Sequence, residues 1–380
     1  MLESDQPIRI LPVHIIDPRL PQDETIFIGE EFESLINTLG ATVVDMQMQK
    51  LVRPHNATYI GSGKVEEIAK IVVEKDVDVV VLNAMLKPGQ LHAIKQIFEQ
   101  TSPNVEVWDR VELILRIFDK HAETKEAKLQ IELARMNYMG PRIYGMGYVL
   151  SRQGAGIGTL GIGETNAELM RRHWRNEKKR ITDQLKAVSH NHEEQIARRR
   201  ESGYKTVSIV GYTNAGKSSL FNLLSKKETG VKDELFATLD SSVGNVYVSD
   251  LSQEVLVTDT IGFIRNLPPI LIRAFNSTLL ESIHADMLLQ VIDASDPEMD
   301  VKINVVKEIL IGLGIEDASV VYVFNKIDVA LDLDREKIKE KYGAHSPIFT
   351  SVKNVEGIEQ IIDEITNKFV TNKFKDVNLR

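Results

Sequence analysis

Val207-Ser208-Ile209-Val210-Gly211-Tyr212-Thr213-Asn214-Ala215-Gly216-Lys217-Ser218-Ser219-Leu220-Phe221 passes from an apolar run, through a glycine-bounded loop, into a helix start. Strand, loop and helix in that order are the context a phosphate-binding loop requires. The glycines let successive backbone N–H groups converge on phosphate oxygens, and the helix N-terminus adds positive dipole at the same place. In this reading Lys217 reaches the β and γ phosphates and the Ser218 hydroxyl ligates Mg²⁺. Gly211, Tyr212, Thr213, Asn214, Ala215, Gly216, Lys217, Ser218 and Ser219 are the expected binding residues. An ordinary glycine turn is the alternative, and the flanking strand and helix argue against it.

Downstream, Thr238 in Phe236-Ala237-Thr238-Leu239-Asp240 is the candidate switch threonine that completes the Mg²⁺ shell. The runs 243–248 and 255–257 read as paired strands, the second leading into Thr258-Asp259-Thr260-Ile261-Gly262-Phe263. Asp259 stands at a strand end, where it would hold Mg²⁺ through water, and the Gly262 N–H would face the γ-phosphate. Metal ligation is thus expected from Ser218, Thr238 and Asp259, and catalysis from Lys217, Thr238 and Gly262.

The apolar run 320–324 ends in Asn325-Lys326-Ile327-Asp328. The Asp328 carboxylate accepts from the N1–H and N2–H₂ donors of guanine, a pair that adenine lacks. Asn325 would tie this loop to the phosphate loop, and the Lys326 stem would pack over the base. Ser351 and Val352 follow a further apolar run and would offer backbone N–H groups to the base. Three motifs in the expected order, each behind an apolar strand, define a GTP/GDP site. Phe263 occupies the position after Gly262 where many GTPases carry a water-orienting Gln, so slow intrinsic hydrolysis is expected. Asn214 marks K⁺ as a candidate charge-stabilising ion; the alternative is that Asn214 only caps the loop.

Ahead of the GTPase region, strand-like runs at 8–16, 41–46, 77–82 and 105–108 alternate with helix-like runs at 30–39, 64–74 and 90–100. Alternation of this kind predicts a small α/β domain with a mainly parallel sheet. Tyr59-Ile60-Gly61-Ser62-Gly63-Lys64 superficially resembles another phosphate loop but lacks the spacing, and a tight strand-to-helix turn is the better reading. Residues 111–139 and 165–202 read as two long helices forming an antiparallel hairpin. The loop 140–163 between them holds eight glycines, with Arg142, Tyr144, Tyr148, Arg152 and Gln153 among them. Such a tip can mould itself onto structured RNA, with Arg on phosphates and Tyr on bases. The expected domains are residues 1–110, 111–202 and 203–380.

The net charge is −9, yet 171–200 holds ten Lys/Arg against four Asp/Glu, leaving +6 there (10 − 4) and −15 (−9 − 6) elsewhere. That balance argues against a protein that coats nucleic acid with its whole surface; the basic helix is either a solvated face or one localised contact with RNA phosphates. The absence of Cys excludes a disulfide-stapled scaffold and any thiolate site. No membrane-spanning run or signal peptide is evident, so a cytoplasmic monomer is expected.

The order of these parts resembles the HflX family of ribosome-associated GTPases. The resemblance rests on Tyr59 to Glu67, on Ser151-Arg152-Gln153-Gly154 with Gly161-Ile162-Gly163-Glu164-Thr165, and on Gly211 to Ser218. It rests also on Thr258 to Pro268 and on Ala274-Phe275-Asn276-Ser277-Thr278-Leu279. Leu160 and Ile162 depart from the Arg and Pro more usual in the family. The resemblance implies binding to the large (50S) ribosomal subunit and its rRNA, ribosome-stimulated GTP hydrolysis and, in some members, splitting of stalled ribosomes. An RNA-modification or ribosome-assembly GTPase and a protein-binding signalling switch are the alternative readings.

Overall fold

The computed structural model describes residues 7–153, 166–227, 235–236, 242–248, 253–274, 276–315 and 320–377. The chain divides into two compact units, residues 1–120 with 128–185, and residues 121–127 with 186–380.

In the first unit the order is β1 (Arg9–Ile16), α1 (Gln22–Leu39), β2 (Thr42–Val43), β3 (Gln47–Lys50), α2 (Ser62–Glu74), β4 (Val79–Leu82), α3 (Pro88–Glu99), β5 (Glu106–Asp109) and α4 (Arg110–His121). The strands form one parallel sheet in the order β2-β1-β4-β5, with β3 also pairing β1. Every residue of Val79-Val80-Val81-Leu82 is buried, as a central parallel strand covered on both faces requires. Leu11, Val13, Val65, Ile68, Val72, Ile94 and Phe98 close over the sheet. The strand expected over 41–46 is instead two short strands on successive stretches of β1. Between them Asp45 turns to the Lys75 ammonium at 2.8 Å.

The stretch 59–61 turns directly into α2, which starts at Ser62. Gln49 Oε1 accepts the Gly61 N–H at 2.9 Å, and Lys64 Nζ is held by Gln47 Oε1 at 3.0 Å and Glu67 at 2.7 Å. The Gly61 N–H and the Lys64 ammonium are thereby engaged by protein.

Two expectations about the long helices need correction. The helical run 111–139 is broken: α4 ends at His121 and α5 (Lys125–Gln153) starts afresh, its first turn capped by the Thr124 hydroxyl accepting from Ala127 N–H at 3.1 Å. The loop expected from residue 140 begins later, because α5 runs through Gly140 and Pro141 to Gln153. Proline also disfavours helical backbone in the residue before it by clashing with that residue's Cβ; Gly140 has none, so that part of the cost is absent. The missing Cβ also lets Gly140 lie against Trp174, whose Nε1 would be 3.3 Å from a Cβ placed there. The second long helix, α6 (Asn166–Glu201), matches its expected span. Glu126 accepts from Ser189 at 3.4 Å and Gly140 meets Trp174, so contacts advance along α5 while they recede along α6. That is the sense of an antiparallel pair.

Arg142, expected at an RNA-contacting tip, is buried. Its Nη2 donates to Asp109 Oδ2 at 2.7 Å and to Leu86 O at 3.0 Å, and its guanidinium lies 3.4 Å from the Tyr138 ring centroid. Asp109, fully buried at the end of β5, also accepts the N–H groups of Leu86, Val111 and Glu112 and the Tyr138 hydroxyl. Burial pushes the Asp109 carboxyl up, and Arg142 with the backbone donors pulls against that. The side chains of Tyr144, Tyr148, Arg152 and Gln153, and all of 154–163, lie outside the described residues.

The second unit contains β6 (Lys205–Gly211), α7 (Lys217–Ser225), β7 (Ser242–Val248), β8 (Gln253–Asp259), α8 (Pro269–Ala274), α9 (Asn276–Ile283), β9 (Met287–Asp293), α10 (Met299–Gly312), β10 (Val320–Asn325), α11 (Arg335–Tyr342), β11 (Ile348–Phe349) and α12 (Ile358–Val377). The sheet order is β11-β10-β9-β6-β8-β7, parallel throughout except for the antiparallel edge strand β7. Val207, Ile209, Val257, Leu289, Val291 and Val323 face Leu220, Phe221, Ile361 and Ile365 across one core. With β6 central, the loops after β6, β8, β9 and β10 all open at one edge. In open parallel sheets that edge is where ligands bind.

Candidate guanine-nucleotide site

The loop after β6 is shaped by contacts only glycine permits. A Cβ on Gly211 would lie 2.3 Å from the Val291 carbonyl oxygen, and one on Gly216 2.3 Å from Asn325 Nδ2. Gly216 has φ 94°, in the left-handed region where glycine is at ease. Asn214 takes the same region at φ 61°, which Asn tolerates better than most residues. The Ser219 position falls in the first turn of α7, after Lys217 and Ser218 at its start.

Lys217 is buried, its Nζ donating to the Tyr212 carbonyl at 2.7 Å. Burial pulls its pKa down to about 8, against the nearby Asp259 carboxylate, which raises it. Asp259 ends β8 and is 1 % exposed. The next segment is stitched to the phosphate loop: Phe263 N–H donates to Gly211 O at 3.0 Å, and Thr213 N–H donates to Phe263 O at 2.8 Å. The Arg265 N–H donates to the Tyr212 hydroxyl at 2.7 Å. Between these bonds Gly262 lies so close that a Cβ would be 2.7 Å from Thr213 Cγ2 and 2.9 Å from Lys217 Nζ. That bare backbone beside a buried ammonium is a cradle any side chain would fill, and it fits an anionic phosphoryl group. Phe263 itself is fully buried, so the residue after Gly262 serves the core and is not offered to water. Thr238 lies outside the described residues.

Asn325 joins two loops. Its Nδ2 donates to Ala215 O at 3.0 Å, and its Oδ1 accepts the Val352 N–H at 3.1 Å. Lys326, at φ 64°, pairs with Asp293 at 2.7 Å. The Ser351 hydroxyl donates to Asp328 Oδ1 at 2.7 Å. The expectation that Ser351 and Val352 offer their N–H groups to the base needs correction, because Ser351 N–H is bonded to Glu356 O at 3.1 Å and Val352 N–H to Asn325. The Asp328 carboxylate, oriented by Ser351, is the group this loop leaves to be tested against the base.

Two residues of the site escaped the sequence reading. Gly357 closes the 351–356 turn, with φ 74° and a would-be Cβ 2.1 Å from Phe349 O; an isolated glycine just ahead of a helix was the available signal. Asp293 had none, since it reaches Lys326 only through the pairing of β9 with β10.

A central parallel strand feeding a phosphate loop, a buried lysine, a strand-end aspartate and an Asn-Lys-x-Asp loop together define a GTP hydrolase. Comparison with known proteins gives the family. Residues 29–119 match the model "GTP-binding GTPase N-terminal", residues 121–199 "GTP-binding GTPase Middle Region", and residues 206–326 "50S ribosome-binding GTPase". GTPase HflX of Caldanaerobacter subterraneus subsp. tengcongensis is 41% identical over 345 residues, covering 91% of this chain and 77% of that protein. GTPase HflX of Escherichia coli is 35% identical over 347 residues, covering 91% and 80%. A crystal structure of an SsGBP–GDP complex aligns with TM-score 0.51 at 25% identity, covering 94% of this chain and 97% of that one. This chain belongs to the HflX family of GTPases.

Proposed function

We propose that this GTPase binds the large ribosomal subunit and hydrolyses GTP there. The observation that carries the reading is that one chain holds both a guanine-nucleotide site and an exposed basic helix. Arg171, Arg172, Arg175, Lys178 and Lys179 of α6 are all exposed, and phosphate contacts supply most of the affinity of such a surface for RNA. The description of the matching model, 50S ribosome-binding GTPase, supports it. Stalled-ribosome rescue is the finer reading, in which GTP-driven ordering of the switch residues changes how the helices meet the subunit.

In the site itself, Gly211 to Ser219 cradle the phosphates, with Lys217 neutralising β and γ oxygens. Mg²⁺, when bound, would supply further neutralisation of the phosphate charge. Ser218, Thr238 and Asp259 are the residues that would hold it. Gly262 presents its N–H to the γ-phosphate, and Asn325, Lys326 and Asp328 receive guanine, with Ser351 and Val352 fixing that loop. The chain works as three parts, residues 1–110, 111–202 and 203–380, in a cytoplasmic monomer. Among the described residues no helix is long and apolar enough to cross a membrane.

Co-sedimentation with large subunits tests the proposal. Binding is expected with a non-hydrolysable GTP analogue and not with GDP. No binding in either state overturns it, and retention on free tRNA alone would favour the RNA-modification reading. Asn214 in the phosphate loop is the residue that would hold K⁺ as a further charge-stabilising ion. Hydrolysis is then expected to be faster in K⁺ than in Na⁺ at equal ionic strength; equal rates remove that role.

A further inference from the structure

Asp293 is the last residue of β9 and lies opposite Asn325 in the β9–β10 ladder. It therefore sits beside the base-reading loop without belonging to it. Its two carboxylate oxygens have separate tasks. Oδ1 accepts from the Ser295 hydroxyl at 2.6 Å and from the Ser295 N–H at 3.0 Å. Oδ2 faces Lys326 Nζ at 2.7 Å. The strand ends are also joined by the Ala294 N–H donating to Asn325 O at 2.8 Å. Ser295 thus sets the carboxylate's orientation, and the carboxylate sets the position of the ammonium.

The pair is too exposed to exist for stability. Lys326 keeps 31 % of its side-chain surface and Asp293 18 %, and ion pairs open to water contribute roughly 0–1 kcal/mol. Lys326 meanwhile holds a left-handed backbone, an arrangement that costs a non-glycine residue about 1–3 kcal/mol, persists only where the surrounding structure over-determines it, and clusters at ligand sites. A lysine stem has four rotatable bonds and would sweep a wide arc if only its backbone were fixed. An anchored ammonium makes the stem a fixed rail.

We propose that Asp293 is a positioning residue for guanine nucleotides: it anchors the Lys326 ammonium so that the alkyl stem is already in place to cover the base. This rests on the reading of residues 325–328 as the guanine-binding loop. Pre-organisation of this kind acts on binding by removing the cost of ordering a side chain at the moment of contact. Asp293 touches neither phosphates nor the reacting bond, so kcat at saturating GTP is unaffected. The carboxylate is essential to the role, since an amide in its place keeps the acceptor for Ser295 but loses the charge that holds Lys326.

The test is a double-mutant cycle on the full chain, with GDP dissociation constants and steady-state GTP hydrolysis as readouts. Asp293→Asn is expected to weaken GDP and raise the KM for GTP by roughly tenfold, with kcat unchanged. Lys326→Met is expected to weaken GDP as well. In the Lys326→Met background, Asp293→Asn is expected to have no further effect, because its only route to the base has been removed. Ser295→Ala, which frees the carboxylate to rotate, is expected to show a smaller loss in the same direction. If Lys326→Met weakens GDP while Asp293→Asn does not, the anchoring role is overturned and the base-reading loop stands. Additive losses overturn it too, since Asp293 would then act through the fold. If Lys326→Met leaves GDP affinity unchanged, the lysine's role at the base fails, and the proposal with it.

Discussion

Arg142→Ala is expected to destabilise the first unit by about 3–5 kcal/mol, the range for removing one partner of a buried ion pair. The loss comes less from the vanished attraction than from what stays behind. Asp109 is fully buried, and its carboxylate would remain in a low-dielectric site with its strongest donor gone. Three backbone N–H groups and the Tyr138 hydroxyl still point at it, so the charge is not orphaned, but these neutral donors cannot replace a guanidinium. The change also strips a cation from the face of Tyr138 and a donor from Leu86 O. Urea unfolding followed by tryptophan fluorescence reads the effect locally, because the chain's two tryptophans, Trp108 and Trp174, both lie in that unit. A shift below about 1 kcal/mol would mean that the pair is not desolvated as the geometry states. Arg142→Ala paired with Asp109→Asn is expected to recover part of the loss, since no charge is then left behind.

Gly262→Ala is expected to abolish most GTP hydrolysis while leaving GDP binding within a few-fold of the parent. The single methyl group would sit 2.7 Å from Thr213 Cγ2, 3.0 Å from Thr213 Cα and 2.9 Å from Lys217 Nζ. None of these can retreat far, because Thr213 is bonded to Phe263 O and Lys217 to Tyr212 O. The segment must therefore back away from the phosphate loop, and the N–H expected to meet the γ-phosphate goes with it. Displacing one preorganised donor lowers turnover by roughly 10²-fold to 10³-fold. Single-turnover hydrolysis beside a GDP titration separates the two effects. Unchanged turnover would show that the Gly262 N–H has no part in the reaction, and an equal loss of GDP would show damage to the whole loop.

Much of this was readable along the chain because local signals agree with one another. Val207 to Val210 is apolar but for Ser208, glycines bound the next loop, and a helix-compatible run follows. Each of the other motifs of the site likewise ends an apolar strand, so parallel pairing delivers them to one edge. Where a reading failed, the deciding contact was remote or involved a missing atom. Gly140-Pro141 reads as a stop because both residues usually break helices, yet a glycine before proline removes one of the clashes by which proline disrupts a helix. Arg142 reads as a surface residue among glycines until Asp109, at the end of β5, is brought beneath it. Asp293 carries no motif, and only the register of β9 against β10 gives it a partner.

The side chain of Asn325 has a consequence for how fast a nucleotide can leave. Its one amide group holds the Ala215 carbonyl with its nitrogen and the Val352 amide with its oxygen. A rotation of that group releases both bonds together, so the clamp at the base and the clamp at the phosphates cannot loosen independently. Nucleotide departure is then expected to loosen both ends together. A partner that pries at either end would speed exchange at both.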